Sequence, residues 1–214
     1  MQLNVLSESP ASRRRLPPWL KKTLRSGDNL LRTRDIVARS RVATVCEQAR
    51  CPNLNECWSR RHATFMILGD RCTRRCGFCA VETARPRPPD PEEPGRLGRA
   101  VAELELRHVV VTAVARDDLP DEGAGHFAEC VRAIRLRAPD AVVEVLPADF
   151  HARDDCLTTL CDAGPDIYNH NLETVERLTP VVRSLHARYE QSLRVFDRVA
   201  ALRPEAYTKS GLMV

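Results

Sequence analysis

Nine cysteines stand in a chain of 214 residues, and six of them fall in one short window. Cys72, Cys76 and Cys79 have three and then two residues between them. Three thiolates at that spacing can wrap three corners of a cubane iron–sulfur cluster, leaving the fourth iron without a protein ligand. An open iron is useful because a small molecule can chelate it and receive an electron. Zinc is the plainer occupant to weigh. A structural zinc site closes with four ligands, commonly from two C-x-x-C-type pairs. Here only one such pair exists and no fourth ligand stands at a customary spacing. The pattern therefore favours an open-iron cluster over zinc or redox thiols. Cys46, Cys51 and Cys57 are weaker taken alone, because their spacing suits neither zinc fingers nor ferredoxins. Their place just before the second trio raises their weight.

Cys130, Cys156 and Cys161 sit on apolar helical stripes and are expected to be buried thiols. The N-terminus lacks the apolar stretch of a secretory signal. No run approaches the roughly 20 apolar residues of a membrane span. A reducing, cytoplasmic location is therefore expected, where clustered cysteines favour metals over disulfides. A basic stretch at 12–25 has transit-peptide composition, but arginine is abundant everywhere and lysine occurs only at Lys21, Lys22 and Lys209. With 33 basic and 29 acidic residues the net charge is +4, and the two signs are mixed along the chain. That argues against a nucleic-acid surface.

The elements that must position the thiols follow from pattern. Residues 1–44 are polar, arginine-rich and broken by Pro17-Pro18 and Gly27, which predicts an extension with one or two short helices. Residues 45–62 carry the first trio. From 63 to 214 strands alternate with helices. Strands are predicted at 64–68, 108–112, 141–146, 166–171 and 207–214. Helices are predicted at 97–106, 126–138, 154–163, in part of 173–185 around Pro180, and at 189–202. Residues 85–98 read as a proline- and acid-rich linker. On the last helix Leu193, Phe196 and Val199 or Ala200 are expected to face inward. This order implies a parallel sheet of βαβ units: an α/β fold, a partial TIM-type barrel ending after about the fifth strand. Chemistry in such barrels gathers at the carboxyl ends of strands. Cys72 to Cys79 follow the first strand, Thr112 and Arg116-Asp117-Asp118 the second, Asp149 and His151 the third, and Asn169, His170 and Asn171 the fourth. A fifth strand with nothing after it leaves an open sheet edge, so the sequence reads as a truncation of a longer one.

The sequence around both trios resembles the lipoyl synthases, within the radical S-adenosylmethionine (SAM) enzymes. The matching segments are Cys46-Glu47-Gln48-Ala49-Arg50-Cys51-Pro52-Asn53-Leu54-Asn55-Glu56-Cys57-Trp58, then Ala63 to Asp70 followed by Cys72-Thr73-Arg74-Arg75-Cys76-Gly77-Phe78-Cys79, with an aromatic before the last cysteine. Further matches are 110–119, Asn169-His170-Asn171-Leu172-Glu173-Thr174 and 208–214. The resemblance implies that Cys72, Cys76 and Cys79 hold the catalytic [4Fe–4S] cluster that binds SAM. It implies that Cys46, Cys51 and Cys57 hold a second, auxiliary [4Fe–4S] cluster, consumed as sulfur donor. Sulfur would enter C6 and C8 of an octanoyl-lysine to give lipoyl-lysine, a reaction at unactivated C–H bonds beyond acid–base chemistry. The implied partners are octanoylated carrier domains (2-oxoacid dehydrogenase E2 subunits and the glycine cleavage H protein) and a reducing electron-transfer protein, with neither nucleic acid nor membrane.

Thr112, Glu144, Asn169, Asn171 and Lys209 are the candidates for contact with SAM or substrate. Each has a plainer reading. Glu144 would suit a paired core acid, Asn169 and Asn171 helix caps, and Lys209 a partner for Glu173. Arg116 with Asp117-Asp118 would form a structural ion pair or support the SAM site. Arg74-Arg75 would be solvated or would favour a reduced cluster. The chain departs from the family at Ala84 and Glu122, where glycines are usual, and in the order Leu146-Pro147-Ala148-Asp149-Phe150. It also ends before the serine that in the family completes the auxiliary ligand set. Those departures lead to the expectation that the chain is impaired or inactive. An inactive cluster-binding fragment and a radical SAM enzyme of another substrate remain open as alternatives.

Overall fold

Five strands line up in parallel, and the two at the centre of the sheet are valine-rich runs with one face fully buried, as in a helix-covered sheet. The computed structural model describes residues 28–49 and 51–213; the predicted features at 1–27, including Pro17-Pro18, lie outside them. In chain order the elements are α1 (Asp28–Ser40), β1 (Ala43–Thr44), α2 (Val45–Gln48), α3 (Leu54–Ser59), β2 (His62–Ile67), β3 (Arg71–Cys72), β4 (Glu82–Thr83), α4 (Glu93–Glu103), β5 (His108–Ala113), α5 (Ala124–Arg137), β6 (Val142–Leu146), α6 (Asp154–Cys161), β7 (Ile167–Asn169), α7 (Thr179–Val182), α8 (Tyr189–Leu202) and β8 (Tyr207–Lys209).

The main sheet runs β1-β2-β5-β6-β7-β8, with every neighbouring pair parallel except β1–β2. Period-two alternation divides each strand between two faces. Val109 and Val111 of β5 and Val143 and Val145 of β6 are fully buried, on the helix-covered side. The register pairs Thr64 with Val110, Met66 with Thr112, Val110 with Glu144, Glu144 with Ile167, and Asn169 with Lys209. These residues share the other, concave face, which places the polar ones on the inside of the curved sheet.

Helix α5 buries Phe127, Cys130, Val131 and Ile134 along the expected stripe. It meets α4 at Gly98, where a Cβ would stand 2.5 Å from the Ala133 carbonyl oxygen. Cys130, Cys156 and Cys161 are all buried free thiols.

Several expectations are corrected. Helix α4 begins at Glu93, inside the predicted linker, because Pro94 sits in its first turn, where the missing N–H costs nothing. The segment 173–185 holds only a short 3-10 turn at Glu176–Leu178 and the four-residue α7, and Pro180 starts α7 rather than kinking it. On α8 the inward stripe is Ser192, Val195 and Val199. Leu193 and Ala200 are exposed and Phe196 is half-buried, so the stripe is turned from the expected phase. In 28–44, α1 buries Leu30, Ile36 and Val37, and β1 adds a strand to the sheet.

Candidate active site at the strand tips

The segment after β2 leaves the sheet and returns to it through hydrogen bonds at its start. The Thr73 N–H donates to the Ala115 carbonyl at 3.1 Å, and the Thr73 hydroxyl donates to Asp117 at 2.6 Å. Strand β3 pairs with β4 across the loop, so the stretch from Cys72 to Thr83 closes on itself. This holds Cys72, Cys76 and Cys79 at the carboxyl end of β2 and β5. All three line one cavity of about 850 Å³. Thr112, Asp149, His170 and Asn171 from the next strand tips line it too, as do Met66, Val114 and Leu146. Val45, Gln48 and Ala49 of the first cysteine segment form another wall.

Two of the three sulfurs accept backbone hydrogen bonds. The Arg74 N–H donates to Cys72 Sγ at 3.4 Å, and the Ser184 N–H donates to Cys76 Sγ at 3.4 Å. Burial raises the Cys76 thiol pKa, and the Ser184 bond pulls the other way. Three free thiols facing one cavity, with N–H groups pointing at two of the sulfurs and no fourth cysteine on its walls, match a cubane with one corner open.

Arg74, between the cluster cysteines, is not solvated. Its side chain is 6% exposed and donates to Asp117 at 2.6 Å and to Asp149 at 2.8 Å. Burial works against its charge, but those two carboxylates outweigh it and move the guanidinium pKa up. Asp117 is correspondingly held down: burial opposes ionisation, and bonds from Arg74 and Thr73 overcome it. Glu122 approaches Arg74 at 3.9 Å and bonds His151 Nδ1 at 2.9 Å. The ligand atoms of Asp117, Glu122 and His151 lie within 4.8 Å of one another, yet Arg74 already supplies positive charge there. Arg116 is fully buried and bonds Asp118 at 2.8 Å and the Leu68 carbonyl at 3.2 Å. The twin acids therefore serve two different arginines.

Glu144, Asn169 and Lys209 meet below the cavity. The Glu144 carboxylate, 2% exposed, accepts from His108 Nε2 at 3.0 Å, Asn169 Nδ2 at 2.9 Å and Lys209 Nζ at 2.8 Å. Burial opposes its charge, but these three donors hold the pKa down to about 2. Lys209 thus pairs with Glu144 rather than Glu173. Thr112 reaches the cavity while donating its hydroxyl to the Leu146 carbonyl at 2.7 Å. His170 bonds Ser192 of α8 at 3.0 Å, and burial lowers its pKa to about 4, so the ring is neutral. Arg183 also lines the cavity; the sequence does not single it out, because its segment, read as partly helical around Pro180, carries no motif.

The first trio is gathered by a local turn. Thr44 caps α2, the Cys51 N–H donates to the Cys46 carbonyl at 3.0 Å, and the Cys57 N–H donates to Asn53 at 2.9 Å. Cys57 is raised by burial and by the nearness of Cys46 and Cys51. None of the three is among the residues that line the cavity, although Val45, Gln48 and Ala49 beside Cys46 are.

Comparison with known proteins agrees with this geometry. Residues 66–214 match the family model of the radical SAM superfamily, and residues 3–51 match that of the N-terminal domain of lipoyl synthase of the radical SAM family. Two solved structures share the fold: methylornithine synthase (TM-score 0.55, 14% identity, 70% of this chain and 44% of that one) and the cobalamin-dependent SAM radical enzyme OxsB (TM-score 0.51, 16% identity, 70% and 23%). A parallel sheet with a cysteine trio at its strand tips, matched over most of its length, defines a radical SAM protein, a class that works with SAM and a [4Fe–4S] cluster. The lipoyl synthase of Halalkalibacterium halodurans is 51% identical over 94% of this chain and 66% of its own length. That of a Geobacillus strain is 53% identical over 94% and 67%, and that of Oceanobacillus iheyensis 52% over 94% and 64%. Within the superfamily the chain belongs to the lipoyl synthase family, and it spans about two thirds of the length of these relatives.

Proposed function

We propose that the chain performs the sulfur insertion of its family, adding sulfur at C6 and C8 of an octanoyl-lysine on a carrier domain. The observation that carries this reading is the shared cavity, with the second trio on one wall and the α2 segment of the first trio on another. In this reading residues 63–214 form the radical SAM barrel and 45–62 the auxiliary-cluster segment. Cys72, Cys76 and Cys79 hold one [4Fe–4S] cluster, and Cys46, Cys51 and Cys57 hold a second, which donates sulfur. When bound, the first cluster supplies the electron that cleaves SAM reductively.

The residues of the chain then bind, orient and exclude water. Thr112 and Asn171, at neighbouring strand tips, offer a hydroxyl and an amide to the polar groups of SAM. Asn169 and Lys209, both bonded to Glu144, stand on the same sheet face outside the cavity lining. Met66, Val114 and Leu146 give the alkyl chain an apolar seat, and such surroundings keep water from a reactive radical. The partners are octanoylated carrier domains, of E2 or H-protein type, and a low-potential electron-transfer protein.

The test is anaerobic reconstitution followed by two assays. SAM cleavage to methionine and 5′-deoxyadenosine should require Cys72, Cys76 and Cys79 only. Single-turnover conversion of an octanoyl-lysine peptide, read by mass spectrometry, should also require Cys46, Cys51 and Cys57. SAM cleavage without sulfur transfer to that peptide would point to a different substrate, and clusters without SAM cleavage to a cluster-binding module.

A further inference from the structure

The loop between α7 and α8 clasps the cysteine loop at two adjacent points. The Val182 carbonyl accepts the Gly77 N–H at 2.9 Å, and the Ser184 N–H reaches Cys76 Sγ at 3.4 Å. Between them, the Arg183 guanidinium donates to the Ser192 hydroxyl at 3.0 Å, and that hydroxyl is also 3.0 Å from His170 Nε2. Ser192 is fully buried on α8, so both its partners are tied to a rigid helix. The Ser184 carbonyl in turn accepts the Ala187 N–H at 2.9 Å, which closes the turn on itself. An N–H held this way points at one thiolate and at no other sulfur of the trio.

We infer that Ser184 is a positioning residue whose backbone N–H raises the reduction potential of the cluster held by Cys72, Cys76 and Cys79. The inference rests on the cluster reading above. Reduction adds negative charge to a cluster, and that charge is shared onto the thiolate sulfurs. A hydrogen bond to a sulfur stabilises the reduced state more than the oxidised one and shifts the potential upward. Because SAM cleavage begins with reduction of this cluster, the bond eases electron entry. Arg183, on the cavity wall beside it, is the side chain that anchors the strap to α8.

Two substitutions at this position separate the N–H from the hydroxyl. Proline has no N–H, and it demands an extended residue before it. Arg183 already has the φ −98° and ψ 165° that a following proline demands, and the proline ring carbon takes the place of the hydrogen that faces Cys76 Sγ. Ser184→Ala keeps the N–H and loses only the hydroxyl. The experiment is a redox titration, followed by the electron paramagnetic resonance of the reduced cluster. The full reconstituted chain is used, with Cys46, Cys51 and Cys57 replaced by alanine so that one cluster is observed. The expected result is a more negative midpoint for Ser184→Pro and an unchanged one for Ser184→Ala. An unchanged midpoint in the proline variant overturns the inference, and so does an equal shift in the alanine variant. Because the proline ring also crowds Cys76 Sγ, the unsubstituted serine chain is read as well, after nitrogen-15 labelling of serine, whether or not the proline variant assembles a cluster. Coupling of a serine nitrogen to the reduced cluster is expected, and its absence overturns the inference. A parent chain that assembles no cysteine-dependent cluster overturns the cluster reading itself.

Discussion

Arg74 is the residue whose surroundings depart most from what its type suggests. A buried charge is kept only where partners repay its desolvation, and here Asp117 and Asp149 do so from two different strand tips. Arg74→Ala leaves those acids uncompensated and is expected to cost about 3–5 kcal/mol in urea unfolding of the chain. A loss within 1 kcal/mol would falsify the buried network. This network was not legible in the sequence. An arginine pair between cysteines reads as solvated, and nothing local marks which of its two members turns inward. The twin acids Asp117-Asp118 were visible, but their division between Arg74 and Arg116 is a tertiary fact. Glu144 was legible as an anomaly in an apolar strand, and its partners Asn169 and Lys209 were each named as candidates without the link between them. Its pH signature has a definite sign. The folded-state pKa lies near 2, below the unfolded carboxylate value, so the stabilisation is complete above the unfolded pKa, around 4.3. It is lost as pH falls from there toward 2. Glu144→Gln should flatten the acid limb of a stability-against-pH curve between those limits, and an unaltered limb would remove Glu144 from the ionised network.

At the scale of elements, β2, β5 and β6 were readable because each is a short, mainly apolar run. Helices α5 and α6 were readable because a 3.6-residue stripe needs no knowledge of its neighbours. What failed was phase and continuity. The stripe on α8 includes Ser192, a polar residue buried because His170 and Arg183 bond it, and no hydrophobicity pattern finds such a position. Strand β1 and helices α2 and α3 are too short to show a period, and α7 is a single turn that owes its place to the cysteine loop. The contact of α4 with α5 gives a direct test. Gly98→Ala drives a Cβ into the Ala133 carbonyl at 2.5 Å, where only backbone movement relieves it. The expected loss is about 1–3 kcal/mol, read as a fall in the denaturation midpoint, and a neutral result would mean that the helices are free to part. On the opposite flank Trp58 of α3 is fully buried, and Trp58→Ala should cost about 3–5 kcal/mol in the same assay.

For the whole molecule, the architecture gathers Cys72, Cys76, Cys79, Thr112, Asp149, His170 and Asn171 at the carboxyl end of the sheet around one cavity, as expected of a barrel-type site. No helix among the described residues is long and apolar enough to cross a membrane. Metal content reports on this organisation. Replacing Cys130, Cys156 and Cys161 should leave iron and sulfide unchanged, because all three are packed into the buried stripes of α5 and α6. Replacing either trio should remove about half of each. Loss of iron with the buried cysteines would mean that the six thiols are not the full ligand set.

The antiparallel pairing of β1 with β2 joins Ala43 to Met66 and Thr44 to Phe65. Cys46 follows this ladder by two residues, and Cys72 leaves it by six. A two-rung clamp of main-chain bonds therefore acts as a gauge block between the two sulfur-bearing segments. Neither can slide along the sheet edge without breaking it, so the gap between them is a dimension of the scaffold, not something a guest must impose.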